Sequence, residues 1–233
     1  MAVKNALKKV STIGVDRGVV HTLVVSDGLE SEVYDLPKNV IDLEKRRSCL
    51  QSRLKNKKKF SNNWQKAQGK IRAINSKIGR IRLDFHHKVS TNLTKSHSQI
   101  CLEDLRVKNM TKSAKGTLEN PGKHVKQKQG LNRSILRQGW GQFERLIEYK
   151  AQWYGAEVIY VNPRNTSVLC NTCGYSSPLN RQSQSHFECK SCGKIENADI
   201  NAAKNILTRG QRGRACGDVE GARIYEAGTS LTL

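Results

Sequence analysis

Apolar and polar positions change rhythm several times along the chain. In the segment STIGVDRGVVHTLVVSDGLESEVYDL, Val19, Leu23, Val24 and Val25 are strand formers and Asp27-Gly28 is a hairpin-type turn, which predicts an antiparallel meander. A further strand is expected from roughly Ser31 to Leu36, closed by Pro37. From residue 38 to 95 the period lengthens. Val40, Leu43, Leu50 and Leu54 fall near helical spacing, and Ile71, Ile74, Ile78, Ile81, Phe85 and Val89 form one stripe in steps of three and four. Two long helices joined near KNKKKFSNNWQK follow from this pattern. SQICLEDL then reads as a short strand ending in acids, and residues 106–130 as a long mobile loop. The next helix is expected to be capped by Asn132, to bury Leu136, Trp140, Phe143, Ile147 and Tyr154, and to stop at Gly155. AEVIYV is a buried strand ended by Asn162-Pro163, ADINAAKNIL a last helix, and the chain after Arg209 a poorly ordered tail.

Charge narrows the class of partner. The chain has 233 residues, with 41 Lys and Arg against 20 Asp and Glu, a net charge of +21. So basic a surface repels itself unless it meets a polyanion, and nucleic acid rewards it by releasing counterions. The bias is sharpest from Ile41 to Arg82, where the only acids are Asp42 and Glu44. Lys57, Lys58 and Lys59 lie at the centre of that run and are candidate phosphate contacts, against the plainer reading of a solvated charged face. MAVKNALKKV begins basic without a signal-length apolar stretch after it, and no segment approaches the ~18 apolar residues of a membrane span. No membrane partner is expected. The seven cysteines are therefore read in a reducing, cytoplasmic setting.

Four of them form a pattern. Cys170 and Cys173, then Cys189 and Cys192, are two C-x2-C pairs with fifteen residues between them, each followed directly by glycine (Gly174 and Gly193). Two intervening residues let one turn aim both thiolates at one ion, and four sulfurs close a zinc tetrahedron, so the site is expected to be structural. A redox dithiol pair is the alternative. Cys49, Cys101 and Cys216 lack such partners.

Three carboxylates stand at suggestive places: Asp16 in the first strand, Glu103 at the end of ICLE, and Asp199 at the start of the last helix. Carboxylates gathered at one point repel each other, and divalent cations such as Mg²⁺ relieve this. Taken singly, each has a plainer role; Asp199 could cap its helix, and Asp27, Asp84, Asp104 and Glu119 are equally eligible by spacing.

Together these motifs resemble the TnpB/OrfB family of transposon-associated proteins. GVDRGV, ICLEDL and NADINAAKNIL are similar to its three RuvC motifs, and TSVLCNTCG with FECKSCG to its zinc ribbon, in the family's order over residues 11–208. The resemblance implies an α/β, RNase H-like (RuvC) mixed sheet flanked by helices. The core would occupy residues 1–162 with a helical insertion at about 38–95, the four-cysteine ribbon 163–195, the final core helix 196–208, and a disordered tail 209–233. It implies a DNA endonuclease, related to type V CRISPR effectors, in which Asp16, Glu103 and Asp199 bind two Mg²⁺ or Mn²⁺ ions and Cys170, Cys173, Cys189 and Cys192 bind Zn²⁺. DNA and a transposon-encoded guide RNA would be its partners, in the nucleoid-associated cytoplasm of a prokaryote. Family members usually carry a substantial region before the first motif; here that motif follows about ten residues, so an N-terminally truncated form is expected. Arg17 stands where many relatives have an aliphatic residue. The competing functions are a catalytically silent nucleic-acid-binding remnant, a transposase acting on transposon ends, and a junction resolvase.

Overall fold

The computed structural model of the chain describes residues 11–215 and 223–225. The chain forms two compact units, one of residues 36–89 and the other of the remaining residues. In chain order the elements are β1 (Thr12–Asp16), β2 (Leu23–Ser26), β3 (Ser31–Tyr34), α1 (Asn39–Leu54), α2 (Asn62–Ser96), β4 (Gln99–Glu103), α3 (Val107–Met110), α4 (Val125–Gln138), α5 (Trp140–Tyr154), β5 (Glu157–Val161), β6 (His186–Glu188), β7 (Ile195–Asn197), α6 (Ala198–Ala215) and β8 (Arg223–Tyr225).

The larger unit is built on one mixed sheet in the order β3-β2-β1-β4-β5-β8. The first three strands form the predicted meander, antiparallel throughout, with Asp27 Oδ1 accepting from the amides of Leu29 and Glu30 in the turn. β4 and β5 then add parallel to β1, and β8 antiparallel to β5. Ile13, Val15, Leu23, Val24, Ile100, Leu102 and Val158 are almost wholly buried, as expected where helices cover a sheet. This is the RNase H-like arrangement that the motifs implied.

α6 packs on β1 unusually closely. A Cβ on Gly14 would lie 2.1 Å from the carbonyl oxygen of Ala203 and 2.6 Å from the amide of Leu207. Only glycine lets the helix backbone sit there. At the C-terminal end of α2, Ser90, Leu93 and Thr94 are buried. Lys150 of α5 binds this segment through Ser90 Oγ and Thr91 Oγ1, both at 2.8 Å.

The smaller unit is a helical hairpin. Val40, Ile74 and Ile78 form its centre with Leu43, Leu50 and Ile81 packed against them, so the three-four stripe was read on the right face.

Three expectations need correction. The helix capped at Asn132 is two helices, and the first begins at Val125. Gly139, at φ +70, separates α4 from α5. The stripe of α5 therefore does not continue backward: Ile135 is buried while Leu136 is 57% exposed. Asn132 instead donates to the carbonyls of Thr111 and Lys112, 2.8 and 3.2 Å away. The stretch 106–130, expected as a mobile loop, contains α3 and the start of α4, and Lys128 Nζ binds the carbonyl of Met110 at 2.5 Å. Polar side chains of α4 thus satisfy backbone groups that an apolar count could not place. α6 also runs six residues past Arg209, to Ala215. Of the expected tail, residues 216–222 and 226–233, with Cys216, lie outside the described residues.

Gly14→Ala is expected to destabilise the protein by more than about 3 kcal/mol, beyond ordinary overpacking, because the clash is with backbone. Thermal unfolding checks this; a variant melting with the parent would mean that α6 can move off the sheet without loss.

Candidate active site and metal centre

The β1–β4 register sets the first two acids side by side. Val15 pairs with Leu102 in parallel strands, so the next residues, Asp16 and Glu103, stand at neighbouring C-terminal strand ends. Open α/β sheets offer their sites at such ends. α6 brings the third. Asn197 caps this helix, its Oδ1 accepting from the amides of Asp199 and Ile200 at 2.9 and 3.3 Å. Asp199 is therefore released from capping and turns toward the sheet. A Cβ on Gly18 would lie 3.6 Å from Asp199 Oδ2. Asp16, Arg17, Gly18, Arg181, Gln184 and Asp199 line a cavity of about 160 Å³.

Electrostatics makes the cluster costly. Asp16 keeps some exposure but is densely surrounded by protein. Burial first, then the charges of Glu103 and Asp199, raises its carboxyl well above the ordinary value, against the pull of Arg181 and Arg17. Burial raises Glu103 too, opposed chiefly by the Thr166 hydroxyl, which donates to its Oε1 at 2.5 Å. Asp199 is raised by burial and opposed by Arg181, whose guanidinium pairs with Oδ1 at 3.2 Å. Arg17 is buried, pairs with Glu144 at 3.3 Å and donates to the backbone carbonyl of Glu103. Thr166 and Arg181 carry no signal in the sequence, since only the fold brings them to the acids; Arg17 is the chain neighbour of Asp16, and its links to Glu103 and Glu144 are what the fold adds. Among the other acids eligible by spacing, Asp27 organises the β2–β3 turn and Asp84 pairs with Lys88 one helical turn away.

The cysteines are a separate centre. Their Sγ atoms all lie within 4.8 Å of one another, and among the described residues only they form so tight a set of three or more ligand atoms. The Cys170–Cys192 and Cys173–Cys189 sulfurs are 3.7 and 3.5 Å apart. Tetrahedral zinc, with Zn–S bonds of about 2.3 Å, needs sulfurs about 3.8 Å apart. The donor set fits that ion and not a disulfide. The two knuckles repeat one geometry. Cys170 N donates to Tyr175 O and Gly174 N to Cys170 O; Cys189 N donates to Lys194 O and Gly193 N to Cys189 O. The glycines close these turns at φ +75 and +71. The backbone amide of Cys192 first, and that of Ser191, lower the Cys189 thiol, while Cys192, sharing the cluster with its neighbouring thiols, is raised.

Little else holds this ribbon. Its buried apolar cluster is Cys170, Phe187, Cys189 and Ala198. Asn180, fully buried, ties the halves by donating to Val168 O and Tyr175 O and accepting from Lys190 N. α6 holds the ribbon through Asn201, which donates to Leu169 O, and Asn205, which donates to Thr166 O and Leu169 O. The ribbon supplies Arg181 to the acid cluster, so the two centres share one scaffold.

Lys57, Lys58 and Lys59 lie in the turn between α1 and α2, in the smaller unit, with Lys58 and Lys59 exposed.

A family model described as "Probable transposase" (OrfB_IS605) matches residues 2–114, and one described as "Cas12f1-like, TNB domain" matches residues 140–206. The chain is 47% identical over 210 residues to "Putative RNA-guided DNA endonuclease InsQ" of Escherichia coli (strain K12), covering 90% of this chain and 51% of that protein. It is 32% identical over 212 residues to a protein of the same descriptive name from Streptomyces pristinaespiralis, covering 89% and 47%. The chain thus spans about half the length of these curated relatives. Among solved structures, a Cas12f1–sgRNA–target DNA complex matches with a TM-score of 0.58 at 22% identity, over 84% of this chain and 49% of that one. This likeness bears on the fold. No helix among the described residues is long and apolar enough to cross a membrane.

Metal analysis of the purified protein is expected to give about one zinc per chain. Cys189→Ser is expected to lower that content and loosen residues 164–195 in hydrogen exchange, because so small an apolar cluster cannot fold the ribbon alone. Unchanged protection would remove the structural role.

The acids give a second test. A carboxyl raised in the folded state stabilises the fold fully below its unfolded value, near 3.8 for Asp16, and that contribution is lost as pH rises through the higher folded value. Zinc-loaded protein without added magnesium should therefore gain thermal stability from Asp16→Asn, and the gain should widen as pH is raised. Mg²⁺ should raise the midpoint of the parent more than that of the variant. Equal midpoints across the pH range would mean that Asp16 carries no such burden.

Proposed function

The chain belongs to the OrfB/TnpB family, and we propose that its sheet carries the phosphodiester-cleaving centre of an RNA-guided DNA endonuclease. What supports this most is the placement of Asp16, Glu103 and Asp199, two at adjacent strand ends and one on the helix packed over them, with burial first and then the charges of the other two raising Asp16. Such repulsion is what bound divalent cations offset.

Asp16, Glu103 and Asp199 would hold two Mg²⁺ or Mn²⁺ ions. When bound, such a pair activates a water for attack on phosphorus and stabilises the leaving oxygen. The chain's own groups do the rest. Thr166 fixes the rotamer of Glu103, and Arg17 holds the strand end that carries it. Arg181, at the cavity wall beside Asp199, supplies positive charge where a phosphate would enter. Cys170, Cys173, Cys189 and Cys192 would hold Zn²⁺ and so keep the ribbon, and Arg181 with it, in place. DNA is the proposed substrate and a guide RNA the proposed partner, in line with the relatives' names, and that RNA is proposed to be transposon-encoded. Lys57, Lys58 and Lys59 would contact phosphates, within the cytoplasm and near the nucleoid.

One observation favours a second reading. The Arg181–Asp199 pair gives Asp199 a partner that needs no ion, as a silent nucleic-acid-binding remnant would require. A cleavage assay separates the two. The protein, purified with co-expressed RNA, is expected to cut labelled single-stranded DNA in Mg²⁺, with Asp16→Ala reducing cutting to background. Metal-loaded, folded protein that binds DNA but cuts no strand would leave the binding-only reading.

Neutralising Lys57, Lys58 and Lys59 together is expected to weaken nucleic-acid binding and to lower its salt slope by up to about 2 to 3, since each phosphate contact contributes about 0.7 to 0.9. An unchanged slope would mean that the run is only a solvated surface.

A further inference from the structure

Phe60 lies in the α1–α2 turn in a conformation that its side chain disfavours. Its φ is +64, and a bulky residue in the left-handed region is a genuine outlier. The residue is 75% exposed, so little burial offsets the strain. The surrounding turn holds it there. Ser61 N donates to Lys58 O, and Ser61 Oγ accepts from Trp64 N at 3.3 Å, capping α2. Gln65 Nε2 donates to the carbonyl of Phe60 itself at 3.0 Å. The Phe60 ring meets that of Trp64 with centroids 5.4 Å apart and planes tilted by 52°. The result is a braced aromatic pair at the tip of the hairpin, directly after Lys57, Lys58 and Lys59.

Strain of this kind persists where the ring's position is what matters. A hydrophobic core has no use for it here, because the core of this unit is Val40, Ile74 and Ile78. We propose that Phe60 and Trp64 form a stacking seat for an unpaired base of a single-stranded nucleic acid, with the adjacent lysines holding its phosphates. The chemistry is complementary. A base has an apolar π-face flanked by a phosphate chain, and the tip presents exposed aromatic surface flanked by cations. The exposure of Phe60 leaves surface on which a base can lie. The seat is distinct from the acid cluster and does not depend on cleavage. It rests on the phosphate-contact reading of the lysines and adds a contact that salt does not screen.

The test uses the full chain and fluorescently labelled oligo-dT and oligo-U strands, with binding measured over a range of salt. Phe60→Ala is expected to weaken binding roughly fivefold to a hundredfold, the span of one lost base stack, without changing the salt slope. Phe60→Tyr should restore it. An oligonucleotide of abasic sites should bind the parent and Phe60→Ala equally. Lowered slope on neutralising the lysines reports the phosphate contacts separately, so either half can fail alone. Phe60→Gly guards against misfolding: glycine takes φ +64 freely, so this variant should melt no lower than the parent while losing the affinity. A loss confined to oligo-dT or to oligo-U supports the seat and identifies the strand it serves. Unchanged affinity of Phe60→Ala and Phe60→Gly for both strands would overturn the proposal. So would a Phe60 effect seen only on vesicles of phosphatidylcholine and phosphatidylserine, which would make the ring a lipid contact.

Discussion

The contact between α6 and β1 at Gly14 is the constraint on which the rest of the larger unit depends. Because no Cβ intervenes, the helix backbone lies directly on the strand, and every residue of α6 inherits a fixed height above the sheet. Asp199 is thereby delivered to the end of the strand where Asp16 stands. Asn201 and Asn205, further along the helix, are delivered to the backbone of the cysteine ribbon. One close approach thus organises both an acidic centre and the scaffold of a metal knuckle. A sheet alone could have placed Asp16 beside Glu103, since parallel register is enough for that.

The acids bring a debt of repulsion that the chain offsets in part with its own groups. Each has a different companion: Arg181 for Asp199, the Thr166 hydroxyl for Glu103, and the more diffuse fields of Arg181 and Arg17 for Asp16. None of these is neutral toward ligands. A guanidinium that balances a carboxylate before substrate arrives is also correctly signed for a phosphate afterwards. The basic hairpin lacks such balance, with few acids to quiet its lysines.

Much of this was legible in the chain before any coordinates. The cysteine spacing specified the knuckles because their geometry is local, a few residues closing on themselves around a glycine. The meander, the isoleucine stripe of α2 and the acids at strand ends were legible for the same reason, since periodicity is local. What stayed hidden was long-range. Thr166 and Asn180 look ordinary in sequence, and their roles, like the partners of Arg17, exist only after distant segments meet. The break at Gly139 was missed because Leu136 continues an apolar rhythm that the backbone does not follow. Asn132 has the composition of a cap yet serves as a clamp on a preceding segment. The polar stretch before it was read as loose because its partners are side chains of the next helix.

The strand register has a consequence in time as well as in space. β1 pairs with β4 across a long stretch of intervening sequence, and Gly14 awaits a helix that is made only after the ribbon. Pairings so distant in sequence form late, because the loop they close must first lose its freedom. During synthesis, Asp16 emerges before Glu103 and stays without Asp199 until α6 has followed. The acidic centre therefore forms only after α6 has been made, and a polypeptide terminated before that helix lacks it.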